Sequence, residues 1–462
     1  MKKTLKIHLP YLFLILLNFC INQQIVNNHF VFLNHFNCEL DRFFDYELFS
    51  HYDKNRICIY SLKNPLLRKI NKSSILYKLE EREVITGLDI SEISKFQYLK
   101  NIKFALFTNL TGVNYQLKST LEILRENLLT PEILLEPEHG IFSSEDFLSD
   151  QILKIDKNLN IPILNLYSKI KKPPIEYLQN IHSILIDIQN LPVRCYTYIS
   201  TLTYILEVAD ILQKEVIILD RPHPYGIWDS AGHFLEEEYV SFVGEAPVPF
   251  LFGLTPAEYS IYLSMYKFKN LKLKILRMEN FDPRNINWTL ANTWINPSPN
   301  IPNLESALIY VGMVFMEGLN LSVGRGTTKP FIYSGAPWID NEIVLKELRK
   351  LNLKGVKFGL IEFYPSSSIY KNQRCKGIQI YPVSKEMDPI QIGYEYLRIL
   401  NRLYPDKLVF LKSKNQYFID KLWGSDSYRK ALENDLSYNE FKQLWISESA
   451  YFDTIVKEFK IY

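Results

Sequence analysis

Glu138-His139-Gly140 sets a carboxylic acid beside an imidazole, directly after the apolar run at residues 133–135. A Glu at a strand end, partly walled off from water, can keep a proton near neutral pH, and protonating a glycosidic oxygen needs that. His139 can orient this acid, share its proton or bond a sugar. A Glu–His pair that only steadies a strand-to-helix turn has the same spacing. Glycoside hydrolysis also calls for a second carboxylate. Asp187, Asp220 and Glu317 are the candidates, although an Asp at a strand–helix junction serves equally well as a helix cap.

The segment Ser322-Val323-Gly324-Arg325-Gly326-Thr327-Thr328 offers backbone N–H groups and a guanidinium suited to a carboxylate or phosphate. It lacks the Gly-Lys-Ser/Thr ending of a P-loop. A plain turn pairing Arg325 with a structural acid, Glu317 for example, fits as well. Arg194, Tyr196 and Tyr198 lead into a helical stretch and either line a cleft or pack. There is no Gly-x-Ser-x-Gly elbow, no GxGxxG after the first strand, and no CxxC pair or Cys/His cluster. A serine hydrolase, a dinucleotide enzyme and a zinc site are therefore disfavoured, and no cofactor or metal is expected.

The elements that must carry these residues begin near residue 100. Apolar runs at 102–107, 133–135, 161–166, 184–188 and 216–219 alternate with helical spacing at 119–128, around Tyr177 and at 199–213. Such alternation predicts a parallel sheet with helices on both faces and right-handed crossovers. Ligands of these sheets sit beyond the carboxyl ends of the strands. Asn109, Glu138, His139, Asp187, Gln189, Asp220 and Arg221 all fall there. From about 271 the chain changes character. An extended loop with Pro297, Pro299 and Pro302 precedes an apolar stretch at 307–316, a Gly-rich segment at 317–329, a strand at 377–380 and a helix at 391–403. The expected fold is α/β, with a Rossmann-like parallel-sheet domain over 81–270. A smaller α/β or α+β domain over 271–462 completes the cleft, and residues 21–80 form an extension packed on the body.

Of the 462 residues 47% are hydrophobic and 23% charged, enough for a large core and two or three domains. Lys+Arg 53 against Asp+Glu 51 leaves a net charge of +2, which gives no footprint for a nucleic-acid backbone. Residues 1–20 read as an export signal: Lys2, Lys3 and Lys6 precede an apolar run at 9–17 that is too short to span a bilayer. Cys20, with Leu17 three residues before it, fits a lipoprotein signal, although Phe19 is bulky for its place. The expected location is the cell envelope, in the periplasm or on the outer membrane, with membrane contact only through a lipid anchor. In an oxidising compartment Cys38 and Cys58 can pair. Cys195 reads as a buried thiol.

A series of motifs runs in order from residue 84 to the C-terminus: Thr86-Gly87-Leu88-Asp89, Phe107-Thr108-Asn109, Pro137-Glu138-His139-Gly140, Asp187-Ile188-Gln189, Leu219-Asp220-Arg221-Pro222, Pro297-Ser298-Pro299-Asn300, Glu317-Gly318 and Gly324-Arg325-Gly326-Thr327-Thr328. This series resembles the NamZ-type exo-β-N-acetylmuramidases. The resemblance implies cleavage of the β-1,4 bond between a non-reducing-end N-acetylmuramic acid and N-acetylglucosamine in peptidoglycan fragments. It also implies a Rossmann-like domain and a C-terminal domain with the active site between them. Glu138 becomes the catalytic acid, His139 its assistant, and Asp187, Asp220 or Glu317 the partner carboxylate. The lactyl carboxylate of the sugar gives Arg325, Arg194 or Arg221 a fork-like binding task, with Asn109, Asn300 and Thr327 as further contacts. The chain departs from the family pattern at Val323 (usually Glu), at Phe252 in Leu251-Phe252-Gly253 (usually Arg-x-Gly), and at Asn190 (usually Asp). These departures keep a second reading open, that of a catalytically impaired envelope lipoprotein that binds muramic acid or other acidic glycans.

Overall fold

In the computed structural model the described residues are 44–47, 56–62, 84–143, 151–155, 160–285 and 294–462. The expected export signal, Cys20 and Cys38 lie outside them. The first half of the chain runs β1 (Phe44–Glu47), β2 (Ile57–Leu62), α1 (Gly87–Ile93), β3 (Phe104–Thr108), α2 (Thr120–Glu126), β4 (Ile133–Glu136), β5 (Leu153–Ile155), β6 (Pro162–Asn165), α3 (Ile175–Leu178), β7 (Ser183–Asp187), α4 (Thr197–Ile211) and β8 (Glu215–Leu219). A separate hairpin, β9 (Ala231–Phe234) and β10 (Pro249–Leu251), and α5 (Pro256–Tyr266) then precede β11 (Lys272–Leu276).

Nine strands form one sheet in the order β1-β2-β11-β8-β7-β3-β4-β6-β5. Strands β3, β4, β6, β7, β8 and β11 are mutually parallel and, numbered along the chain, stand 3-2-1-4-5-6, the Rossmann order. Every residue of β3 and β7 is buried, as expected for strands covered on both faces. Helix α5 starts at a capping box between Thr255 and Glu258, with Pro256 in its first turn. Two features depart from the sequence reading. Part of the 21–80 extension is integral, since β2 pairs in parallel with β11. The sheet also continues past residue 271, because β11 is its sixth Rossmann strand.

The second half contains α6 (Leu304–Met313), β12 (Tyr333–Ala336), α7 (Asn341–Lys350), β13 (Val356–Phe363), β14 (Cys375–Pro382) and α8 (Pro389–Leu403). It closes with α9 (Phe418–Trp423), α10 (Ser427–Glu433), α11 (Tyr438–Gln443) and α12 (Ile446–Val456). Strands β12, β14 and β13 make an antiparallel sheet. Helices α6 and α8 cross backbone to backbone, and a Cβ on Gly312 would fall 1.8 Å from the Pro389 carbonyl oxygen.

The described residues all belong to one compact body. The halves are joined by an aromatic cluster in which Trp423 lies 5.4 Å from Phe250 and 5.5 Å from Phe315, each such pair contributing about 1 kcal/mol beyond its burial. The last residue is also tied in. The Tyr462 hydroxyl donates to Asp220 Oδ2 at 2.8 Å and accepts from the Met278 N–H at 2.7 Å.

Candidate active site

The crevice where the strand order reverses, between β3 and β7, is filled by the chain's own polar groups. Asp187, at the end of β7, is fully buried. Its carboxylate accepts from Arg221 Nε, from Arg221 Nη2 at 2.9 Å and from the Thr120 hydroxyl. Arg221 spends a further bond on the Val113 carbonyl, at 3.0 Å. A buried ion pair is tolerated only with its bonding capacity met, as it is here. Asn109 accepts from the Thr111 N–H at 2.9 Å and donates to the Pro297 carbonyl at 3.3 Å, which ties the β3 end to the second half of the chain. Gln189 joins the same lattice through its N–H, 2.9 Å from the Thr111 hydroxyl.

Asp220 and Arg194 are likewise used inside the fold. Asp220 accepts from the Thr255 hydroxyl at 2.8 Å and the Ala257 N–H at 3.0 Å, so it steadies the start of α5 as well as holding Tyr462. Burial pushes its carboxyl up to about 7. Arg194 donates to the carbonyls of His233 (2.7 Å), Val248 (2.6 Å) and Trp423, and burial brings its guanidinium down to about 10. The structure thus encloses Asp187, Arg221, Asp220 and Arg194 and does not bring their charged groups together with Glu138.

Glu138 is presented differently. Beyond β4 the chain turns at Pro137–Gly140, closed by the Gly140 N–H on the Pro137 carbonyl at 3.1 Å. His139 (φ 69°) and Gly140 (φ 73°) are both left-handed, and for His139 this costs about 1 kcal/mol. The Glu138 side chain retains 21% exposure, and its Oε1 lies 3.9 Å from His139 Nε2. Its Oε2 accepts from the hydroxyl of Thr197, the first residue of α4, at 2.5 Å. The positive end of that helix favours a carboxylate there.

An aromatic wall stands beside this acid. β6 ends in a side-chain turn in which Asn165 Oδ1 takes the Tyr167 N–H at 2.7 Å. This places the Tyr167 hydroxyl against Glu138. Burial, then the charge and hydrogen bond of Glu138, raise the phenol above its ordinary range. The Tyr167 ring lies 5.7 Å from that of Phe242. Lys171 Nζ sits 3.6 Å from the Tyr167 centroid and 4.6 Å from that of Phe242. Burial lowers the Lys171 pKa against the opposing pull of Glu138.

The second half supplies Glu317 and Arg325. Arg325 Nε donates to Glu317 Oε1 at 2.5 Å, with both side chains partly exposed. Burial disfavours the Arg325 charge, but Glu317 first and Glu138 further off hold its pKa above the usual value, so the two halves meet electrostatically at this guanidinium. The Gly-rich segment is a turn: Gly324 and Gly326 are both left-handed at φ 75°, and the Thr327 hydroxyl donates to the Gly324 carbonyl at 2.6 Å. Behind it Cys195 is buried 3.6 Å from the Tyr310 hydroxyl, and burial pushes its thiol up to about 12. Tyr198 donates to the Pro297 carbonyl at 2.7 Å and stands edge-on to Tyr196 at 4.8 Å. Asn300 is partly exposed in the turn that follows.

Glu138, His139, Arg325 and Glu317 are therefore the sequence candidates that share one electrostatic neighbourhood. Tyr167, Lys171, Phe242 and the bond from Thr197 were not singled out. The strand-end rule that found Glu138 after β4 would have found Tyr167 after β6. Of the departures, Phe252 is buried with its ring 5.3 Å from Tyr259, and Val323 is buried with its carbonyl bonded to the Phe331 N–H at 2.6 Å. Asn190 is buried with neither amide atom hydrogen-bonded.

Models of the family described as exo-beta-N-acetylmuramidase NamZ match in succession, the N-terminal one over residues 104–305 and the C-terminal one over 308–462. The chain is 33% identical over 385 residues to the peptidoglycan beta-N-acetylmuramidase NamZ of Bacillus subtilis (strain 168), which covers 82% of this chain and 92% of that protein. Two crystal structures of DUF1343 family proteins from Bacteroides fragilis NCTC 9343 match with TM-scores of 0.76 and 0.65. They are 29% and 27% identical, and cover 83% and 82% of this chain and 100% and 99% of theirs. With the Rossmann order, the Glu138 turn and both halves matched from residue 104 to the C-terminus, the chain belongs to the exo-β-N-acetylmuramidase NamZ family.

Proposed function

We propose that this chain is a peptidoglycan glycosidase that releases N-acetylmuramic acid from the non-reducing end of cell-wall fragments, with Glu138 as its general acid. The observation that carries the reading is the placement of Glu138: partly exposed, gripped by Thr197 at a helix start and flanked by Tyr167 and His139. Glu138 protonates the glycosidic oxygen as its bond to the anomeric carbon breaks, and a water oxygen ends on that carbon while a proton from the water restores the acid. The Thr197 hydroxyl keeps its carboxyl in one orientation, and His139 assists the proton's return. Glu317, oriented by Arg325, is the second carboxylate at the anomeric centre. Export through residues 1–20, with Cys20 as a lipid attachment point, would bring the enzyme to its substrate in the envelope.

The test is to incubate the purified protein and its Glu138→Gln variant with N-acetylmuramyl-β-1,4-N-acetylglucosamine. Release of free N-acetylmuramic acid by the wild type alone supports the reading. Saturable binding of the disaccharide by both, with release by neither, overturns it in favour of a sugar-binding protein.

A further inference from the structure

We propose that Lys171 is the specificity-determining residue that receives the carboxylate of an acidic sugar in the Glu138 cleft, an inference that rests on reading that cleft as a muramidase site. N-Acetylmuramic acid differs from N-acetylglucosamine by a lactyl ether whose carboxylate is ionised at neutral pH. A site that selects the acidic sugar gains from a cation beside the acid that protonates the glycosidic oxygen. The arginines are engaged to differing degrees. Arg194 is spent on carbonyls, Arg221 on Asp187, and the Nε of Arg325 on Glu317. The neighbouring Lys172 pairs with Glu207 at 2.5 Å.

Lys171 is differently placed. Its Nζ rests on the faces of Tyr167 and Phe242, 3.6 and 4.6 Å from their centroids. Among the described residues no carboxylate forms an ion pair with it. Ring faces hold an ammonium by electrostatic attraction without using its N–H donors, so the donors stay available to an incoming anion. Tyr167, the nearer of these rings, also touches Glu138, which places the cation next to the acid. A half-desolvated lysine in this seat gains from a carboxylate more than a fully hydrated one would. The competing use of Lys171 is to tune Glu138 alone, and that use is indifferent to whether the sugar is acidic.

The deciding experiment compares wild type, Lys171→Met and Lys171→Arg on two chromogenic β-glycosides, one of N-acetylmuramic acid and one of its lactyl amide. Calorimetric binding of the corresponding free sugars is measured in parallel. Losing one charge-assisted contact should lower kcat/KM of Lys171→Met on the acid glycoside by about 10- to 100-fold, chiefly through KM. Turnover of the amide should fall by much less than that of the acid, and Lys171→Arg should recover part of the loss. Equal falls on acid and amide, or no fall on either, overturn the proposal. Should the wild type cleave neither glycoside, the muramidase reading fails and binding still decides the role of Lys171. Preference for the acid that vanishes in Lys171→Met upholds it, whereas equal binding of acid and amide by the wild type overturns it.

Discussion

The hydroxyl of Thr197 lies 2.5 Å from Oε2 of Glu138, joining the first residue of α4 to the turn after β4. This bond fixes the rotation of the carboxyl group and, with Glu138 as the proposed general acid, the direction in which it delivers a proton. Thr197→Val keeps the shape and removes the bond. It should lower kcat on a muramyl glycoside by about tenfold with KM little changed, since a misaligned acid loses rate more than binding. Thr197→Ser should retain most of the activity, and steady-state kinetics on the three proteins checks both expectations.

Glu317 should be needed for turnover, as a carboxylate and not as a shape. Glu317→Gln is expected to lose about 100-fold or more in kcat, while Arg325→Met, which leaves the acid but frees its orientation, should lose less. If Glu317→Gln keeps wild-type kcat, the second carboxylate lies elsewhere.

The Asp187–Arg221 pair bears on stability. Arg221→Met leaves a buried carboxylate without its counter-charge, which should cost about 3–5 kcal/mol in denaturant unfolding. The double variant Asp187→Asn with Arg221→Met should be less destabilised than Arg221→Met alone, a sign that the uncompensated charge is what harms the single variant.

Two buried groups oppose each other in the dependence of stability on pH. Burial raises the Asp220 pKa to about 7 from its ordinary value of 3.8, so in the window between these values the folded chain holds a proton that the unfolded chain has released, and stability falls as pH rises. Burial lowers His223 to about 3 from 6.5, so between those values the unfolded chain holds the extra proton and stability rises with pH. The contributions offset each other over most of the acidic range. Asp220→Asn should expose a positive slope and His223→Gln a negative one, read from denaturant unfolding at a series of pH values.

The α6–α8 crossing tolerates no added methyl. Gly393→Ala would place a Cβ 2.1 Å from the Gly312 carbonyl oxygen, so the helices must separate. Overpacking of this kind should cost about 1–3 kcal/mol, seen as a lowered Tm.

Much of the framework was legible in the residues alone. The apolar runs that became β3, β4, β6, β7 and β8 are short, continuous and separated by helical spacing, and burial on both faces of a parallel sheet demands that pattern. Glu138 could be singled out because a strand end is a local feature. The partners of each charge are not local. Asp187 and Arg221 stand 34 residues apart, Asp220 and Tyr462 stand 242 apart, and Arg194 meets the Trp423 carbonyl across 229. Strand β2 shows no clear period, and its place beside β11 is set by pairing with residues more than 200 positions away. Polar residues at equivalent strand ends are alike in sequence. Only the tertiary structure decides which of them find a buried partner and which keep an exposed edge for a ligand, because desolvation depends on what the rest of the chain brings against them.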